Sequence, residues 1–230
     1  MKKITFFAIV LIACSRSSLA TASVDVGDTI RFQNREGTTA GGEFGLQKET
    51  SPGIWSGDLF RTFCLERDET IGFGTPYTVD SISSTAHLGG QNTNSGDPIS
   101  AQTAWLFYNF TLGTLTGYDY TPNSAARIED ANRLQNAFWK FEGEDNNISG
   151  ALDVPDAEYW NLANAWFGSA SDADKLFYTS RVMVINPVQG NTPRQSMLYV
   201  VPEASTIAVW SILSLVGAGV ACRKNSEKIC

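Results

Sequence analysis

Hydrophobic and polar residues alternate in short runs between residues 24 and 80, most clearly over 58–66 and 75–82, with glycines and prolines separating the runs. That period of two predicts strands joined by turns, and no helical period competes with it there. Residues 83–98 are rich in Ser, Thr, Asn and Gly, the composition of a surface loop. At Ser100 the pattern changes. Ser100 can cap a helix reaching about Phe110, and Ala101, Ala104, Trp105, Leu106, Phe107 and Phe110 make that helix apolar on most sides. A helix of this kind must be largely buried.

A second helix is predicted from the Ser124 cap to about Phe141, its stripe running Ile128, Ala131, Leu134, Phe138 and Phe141 at three- and four-residue spacing. Gln135 lies inside that stripe, so a polar side chain points toward the core and needs an explanation. A third helix is predicted over 157–167, and closing strands over 181–185 and 196–201. No internal repeat and no linker divides the chain between 21 and 200. The expected class is α+β, a β-rich body with a small helical subdomain.

The two ends read differently from this body. Lys2 and Lys3 precede an apolar stretch over 4–13, too short to span a membrane and polarised like a signal peptide. Ser18-Leu19-Ala20 suits cleavage after Ala20, so 1–20 is taken as the signal. Leu11-Ile12-Ala13-Cys14 also fits a lipoprotein box, in which Cys14 would carry the lipid. At the other end, residues 207–222 are free of charge and Arg223 and Lys224 follow at once, the pattern of a helix that stops on the cytoplasmic side. The residues Val201, Pro202 and Glu203 stand before it. Together these features resemble the PEP-CTERM sorting tail of bacteria that carry exosortases, a short Pro-Glu-Pro motif followed by an apolar helix and a basic end. The resemblance implies a tail over 201–230, an exosortase-type sorting enzyme as partner, and a membrane-anchored stage before display at the cell surface or in the extracellular matrix. Ala204 replaces the second proline, and the chain continues to Cys230 beyond the basic pair. A plain tail anchor would share the location and dispense with the enzyme.

Between these ends the domain 21–200 holds eleven Lys and Arg against twenty-two Asp and Glu, a charge of −11 that the whole-chain value of −7 conceals. Such a surface repels nucleic acid. Of four cysteines, Cys14 falls in the signal and Cys222 and Cys230 in the tail, leaving Cys64 alone in the domain. One thiol builds no disulfide framework. It is either buried and inert or kept for its reactivity.

Phe63-Cys64-Leu65-Glu66 falls on a predicted strand, and Gln135-Asn136-Ala137-Phe138-Trp139 on a buried helical face. These segments resemble the two signatures of the Cys-Gln thioester domains of bacterial surface proteins: a hydrophobic residue before the cysteine, and Gln-x-Ala-x-Trp, matched by Gln135, Ala137 and Trp139. The likeness extends over about 60–144, with 100–110 resembling the family's buried helix and 113–120 its connecting loop. It implies that the Cys64 sulfur attacks the Gln135 carboxamide, ammonia leaves, and a thioester joins strand to helix. Holding the groups in reacting geometry contributes roughly 7 to 11 kcal/mol through effective molarity. Phe60 shares the Cys64 face if the strand alternates, Phe138 and Trp139 flank Gln135, and these rings exclude hydrolytic water. An amine on a surface protein or polysaccharide would reopen the thioester and remain bound as an amide. That is attachment without turnover, not enzyme catalysis, and it needs no cofactor.

Two other readings of the same residues stand beside it. In one, the protein is a passive structural envelope or matrix component, with Cys64 a small core hydrophobe and Gln135 a satisfied core amide. In the other, His87, the one histidine, activates Cys64 as a hydrolase nucleophile, although its loop composition suits a solvated imidazole better. One histidine and one domain cysteine exclude structural zinc. Carboxylates cluster at Glu66, Asp68 and Glu69, at Glu142, Glu144 and Asp145, and at Asp172 and Asp174, without an EF-hand pattern. Solvated acidic faces account for them more simply than calcium. Trp55, Trp105, Trp160 and Trp166 raise sugar stacking, against which Trp105 reads as core. Sequons at Asn109 and Asn147 carry little meaning in a bacterial chain.

Overall fold

The computed structural model describes residues 23–38, 41–67, 69–88, 96–144 and 157–202. The expected signal over 1–20, and the expected tail from Glu203 onward, lie outside the described residues. The strands before the first long helix are β1 (Thr29–Asn34), β2 (Phe44–Ser51), β3 (Ile54–Trp55), β4 (Phe60–Thr62), β5 (Tyr77–Ser83), β6 (Thr85–Ala86) and β7 (Asp97–Pro98). Helices α1 (Ala101–Thr111), α2 (Ala125–Phe141), α3 (Glu158–Ser169) and α4 (Asp172–Thr179) follow, and β8 (Val182–Gln189), β9 (Thr192–Pro193) and β10 (Met197–Val200) close the described chain. The protein is thus a mixed α/β molecule with a sheet-rich body and, among the described residues, four helices.

The main sheet is antiparallel in the order β10-β8-β5-β1-β2-β3, with β4 on β2 and β9 on β8. Its two edges meet. Past β4 the chain runs along β10: Leu198 N–H donates to Phe63 O at 3.0 Å, Leu65 N–H to Ser196 O at 3.0 Å, and Cys64 bridges Met197. The Thr62 hydroxyl adds a 2.6 Å bond to Leu198 O. The sheet therefore closes into a ring through β4 and β10, which pairs the long strands on both sides and leaves open edges only at the two-residue strands β3 and β9.

Alternation along these strands sorts their side chains into two cores. Ile30, Phe32, Leu46, Cys64, Tyr77, Val79, Met197 and Tyr199 form the inner cluster. Phe63, Leu65, Val182, Val184 and Leu198 point the other way, onto Leu106 and Phe107 of α1, Leu134 and Phe138 of α2 and Ala163 of α3. Phe63 meets Phe110 and Phe138 edge to face at 5.0 and 5.3 Å. One helical residue joins the inner cluster, Trp139 of α2.

Both predicted caps form: Thr103 N–H donates to Ser100 Oγ at 3.1 Å and Arg127 N–H to Ser124 Oγ at 3.0 Å. The stripe of α2 differs from the expected one at its start, where Ile128 is 39% exposed and Arg127 is buried instead. An ion pair described below turns Arg127 inward and carries Ile128 out. Within the expected loop over 83–98, β6 and β7 pair and Ala86 is buried, and residues 89–95 lie outside the described residues. Helix α4 was not legible in the hydrophobic pattern, since none of its residues is fully buried; Ser171 and Asp174 form a capping box at its start. Among the described residues, no helix is long and apolar enough to cross a membrane.

Candidate functional site

Cys64 and Gln135 meet. Each is 1% exposed, one on the chain beyond β4 and the other in the middle of α2. The Cys64 thiol donates to Gln135 Oε1 at 3.2 Å, and the Cys64 backbone N–H reaches the same oxygen at 3.3 Å. Gln135 Nε2 in turn donates to Cys64 O at 2.7 Å. The three bonds set the amide the right way round for the expected chemistry. A backbone donor faces the carbonyl oxygen that would gain charge, and the nitrogen that would leave is held by the Cys64 carbonyl. Since a carbonyl bond is about 1.2 Å long, the carbon to be attacked lies within about 4.4 Å of the sulfur.

Burial pushes the Cys64 thiol well above its ordinary range, and the charges of Glu66 and Glu144 act in the same direction. The Trp139 indole opposes the rise. In the resting state the sulfur is therefore a neutral thiol. The expected supporting residues divide between the two cores: Phe60 and Trp139 pack with Cys64 in the inner cluster, whereas Ala137 and Phe138 pack with Phe63 on the helical side. Gln135 is thereby walled on both sides.

Two further features position α2, and the hydrophobic pattern did not reveal either. Glu43, 1% exposed and just ahead of β2, takes both Nε and Nη2 of Arg127 at 2.7 and 2.8 Å and the Tyr118 hydroxyl at 2.6 Å. A bidentate pair of this kind fixes orientation as well as distance. Gln135 lies eight residues further along the helix. Gly41 is the second feature. A Cβ on it would come 2.7 Å from Gln135 Cγ and 2.8 Å from Trp139 Cη2, so a glycine is needed for the chain to lie against these two side chains. Thr38 N–H donates to Asn132 Oδ1 at 2.8 Å and holds the same stretch of chain to α2.

The acidic residues correct the expectation of solvated faces. Glu66, Glu142 and Glu144 are buried and, with Asp97, line a cavity of about 10 Å³. Glu142 Oε1 accepts from the Ser100 and Thr103 hydroxyls, and the two oxygens of Glu66 accept from Leu88 N–H at 3.0 Å and Ser196 N–H at 2.9 Å. Burial raises both carboxyls to about 7. Asp172 and Asp174 stay on the exposed face of α4, and Asp68 and Asp145 lie outside the described residues. Among the described residues, no group of three His, Cys, Asp or Glu side chains is placed to hold a metal ion.

His87 does not engage Cys64. Its Nε2 faces Asp80 at 3.1 Å and Ser81 Oγ at 3.4 Å, and its Nδ1 makes no hydrogen bond. It is half-buried, not the solvated loop residue expected. The tryptophans raised for sugar stacking face protein groups: Trp105 stacks on Trp166 at 5.2 Å, Trp160 on Phe141 at 4.2 Å, and Trp55 lies under Arg31. Asn109 donates to Trp105 O, and Asn147 lies outside the described residues. No family model, curated protein or solved structure matches the chain.

Proposed function

We propose that this is an exported bacterial surface protein whose domain forms an internal thioester between Cys64 and Gln135 for covalent attachment to an amine-bearing protein or polysaccharide. The observation that carries this reading is the sulfur lying 3.2 Å from the amide oxygen inside a dry contact. The signature residues around the pair support it. So do the leader over 1–20 and the charge-free segment 207–222 with its basic end, read as a membrane helix sorted by an exosortase-type enzyme through Val201, Pro202 and Glu203.

In the bond-forming step the S–H proton leaves the sulfur, an S–C bond forms to the Gln135 carboxamide carbon, the C–N bond breaks, and ammonia departs with that proton. Each protein molecule completes this once, so no turnover is involved.

Intact-mass spectrometry of the full-length protein tests the proposal. The expected mass is short by one ammonia, Cys64→Ala and Gln135→Ala each abolish the deficit, and methylamine replaces the lost ammonia with itself. A full mass in the freshly purified protein, with the thiol free to alkylation after denaturation, would sink it. A second reading, the passive envelope or matrix component, is favoured by the near-complete burial of both side chains, which leaves an amine no direct approach. A mass deficit that methylamine never reverses would select that one.

A further inference from the structure

Trp139 carries a buried donor without an acceptor. Its indole Nε1 makes no hydrogen bond, although the side chain is 6% exposed and packs in the cluster that holds Cys64. A buried N–H left unpaired costs about 1 to 3 kcal/mol and calls for a reason. Position provides one. Trp139 follows Gln135 by four residues, so both side chains leave the same face of α2, and Gly41 lies against the two together. The sulfur is the group on which charge changes during the proposed reaction. A neutral thiol is a poor acceptor and a thiolate a strong one.

We propose that the Trp139 indole N–H is a catalytic donor to the Cys64 sulfur, unsatisfied beside the resting thiol and bonded to the sulfur as negative charge develops there. This rests on the thioester reading and assigns Trp139 a part beyond excluding water. A donor that bonds the charged state better than the neutral one lowers the barrier between them. The indole lowers the thiol's pKa in the manner of a hydrogen-bond donor, against the rise caused by burial, which puts Nε1 near the sulfur although the contact at rest falls short of hydrogen-bond geometry.

The same charge develops twice. When the thioester forms, the sulfur takes on negative charge as it gives up its proton and bonds to the Gln135 carbon. When an amine opens the thioester, the amine nitrogen bonds to that carbon, the S–C bond breaks, and the electron pair returns to sulfur, which then takes a proton from the attacking amine. One N–H serves both passages.

The experiment has two arms, both on the full-length protein. In the first, the indole resonance of Trp139, assigned by its loss in Trp139→Phe, is compared by ¹H–¹⁵N spectroscopy in Cys64→Ser and Cys64→Ala. The expected indole proton shift is downfield with the serine oxygen and upfield with alanine, following acceptor strength. Equal shifts in the two variants, or none, would overturn the proposal whether or not a thioester exists. In the second arm, methylamine opening is timed by mass in wild type, in Trp139→Phe, and with the benzothiophene analogue of tryptophan placed at 139 alone, which keeps the bicyclic shape and lacks the N–H. Loss of the donor slows opening about tenfold or more in both. An analogue protein that opens at the wild-type rate refutes the role. If the wild type shows no ammonia deficit, the thioester reading fails by itself, and the spectroscopic arm still decides whether the indole addresses the sulfur.

Discussion

Helix α2 makes two buried polar contacts with the sheet body, eight residues apart, and they are opposites. Arg127 against Glu43 is ionic, bidentate and braced by the Tyr118 hydroxyl. Gln135 against Cys64 is neutral, held by three ordinary hydrogen bonds, with an unpaired indole beside it. The first is strong in place and chemically inert. The second is weaker as a contact, yet it holds a thiol and a carboxamide together, both buried from solvent. The difference teaches a division of labour: the charged pair sets where the helix lies, which leaves the neutral pair free of any anchoring task.

Breaking the ionic contact has the largest expected effect. Arg127→Met takes from buried Glu43 its bidentate partner and leaves it the Tyr118 hydroxyl and, at 3.4 Å, the half-buried Arg61, and chemical denaturation should show a loss of about 3 to 4 kcal/mol. A loss below about 1 kcal/mol would mean that the ion pair does not hold the helix. The double substitution Glu43→Leu with Arg127→Met should recover much of the stability, because an apolar pair of similar volume avoids the uncompensated charge.

The acidic cavity beside the neutral contact gives the next effect. Glu66 and Glu142 hold their protons up to about pH 7 in the folded protein, against 4.5 for an ordinary glutamate. Between those values the folded state binds more protons than the unfolded chain, so their stabilising contribution is complete below about 4.5 and is lost as pH rises to about 7. The fall amounts to roughly 3 kcal/mol for each group. Denaturation across this range should show it. Glu142→Gln keeps the carbonyl acceptor for Ser100 and Thr103 and should remove that residue's share of the slope, and an unchanged slope would contradict the assignment.

Gly41→Ala sharpens the comparison from the other side. Its methyl group must displace Gln135 or Trp139, at a cost of about 1 to 3 kcal/mol, while Arg127 and Glu43 are untouched. The expected outcome is a folded protein with a smaller fraction short of ammonia, read by intact mass. The smallest effect is Ser124→Ala, which removes the cap of α2 and should cost about 1 kcal/mol without altering the mass deficit. A cap variant that lost the deficit entirely would show that the neutral contact depends on every part of the helix, and not on its ionic anchor.

The sequence determined by itself what local periodicity and capping chemistry encode: strands before residue 80, the capped helices α1 and α2, and the inward aim of Gln135; the pairing of Cys64 with it as a candidate site was what the resemblance to the thioester signatures implied. Tertiary structure alone decided the rest. The period puts Ile128 in the core stripe and leaves Arg127 out of it, until Glu43, 84 residues away, draws the arginine inward. Glu66, Glu142 and Glu144 read as a solvated face until separate segments close over them. Helix α4 buries no residue fully, so it leaves no stripe to read. Gly41 and the orphaned Trp139 N–H acquire meaning only from neighbours distant in the chain. A side chain's period reports which way it faces, whereas its partner depends on how the sheet closes and where the helix docks, and neither is written within a single window of residues.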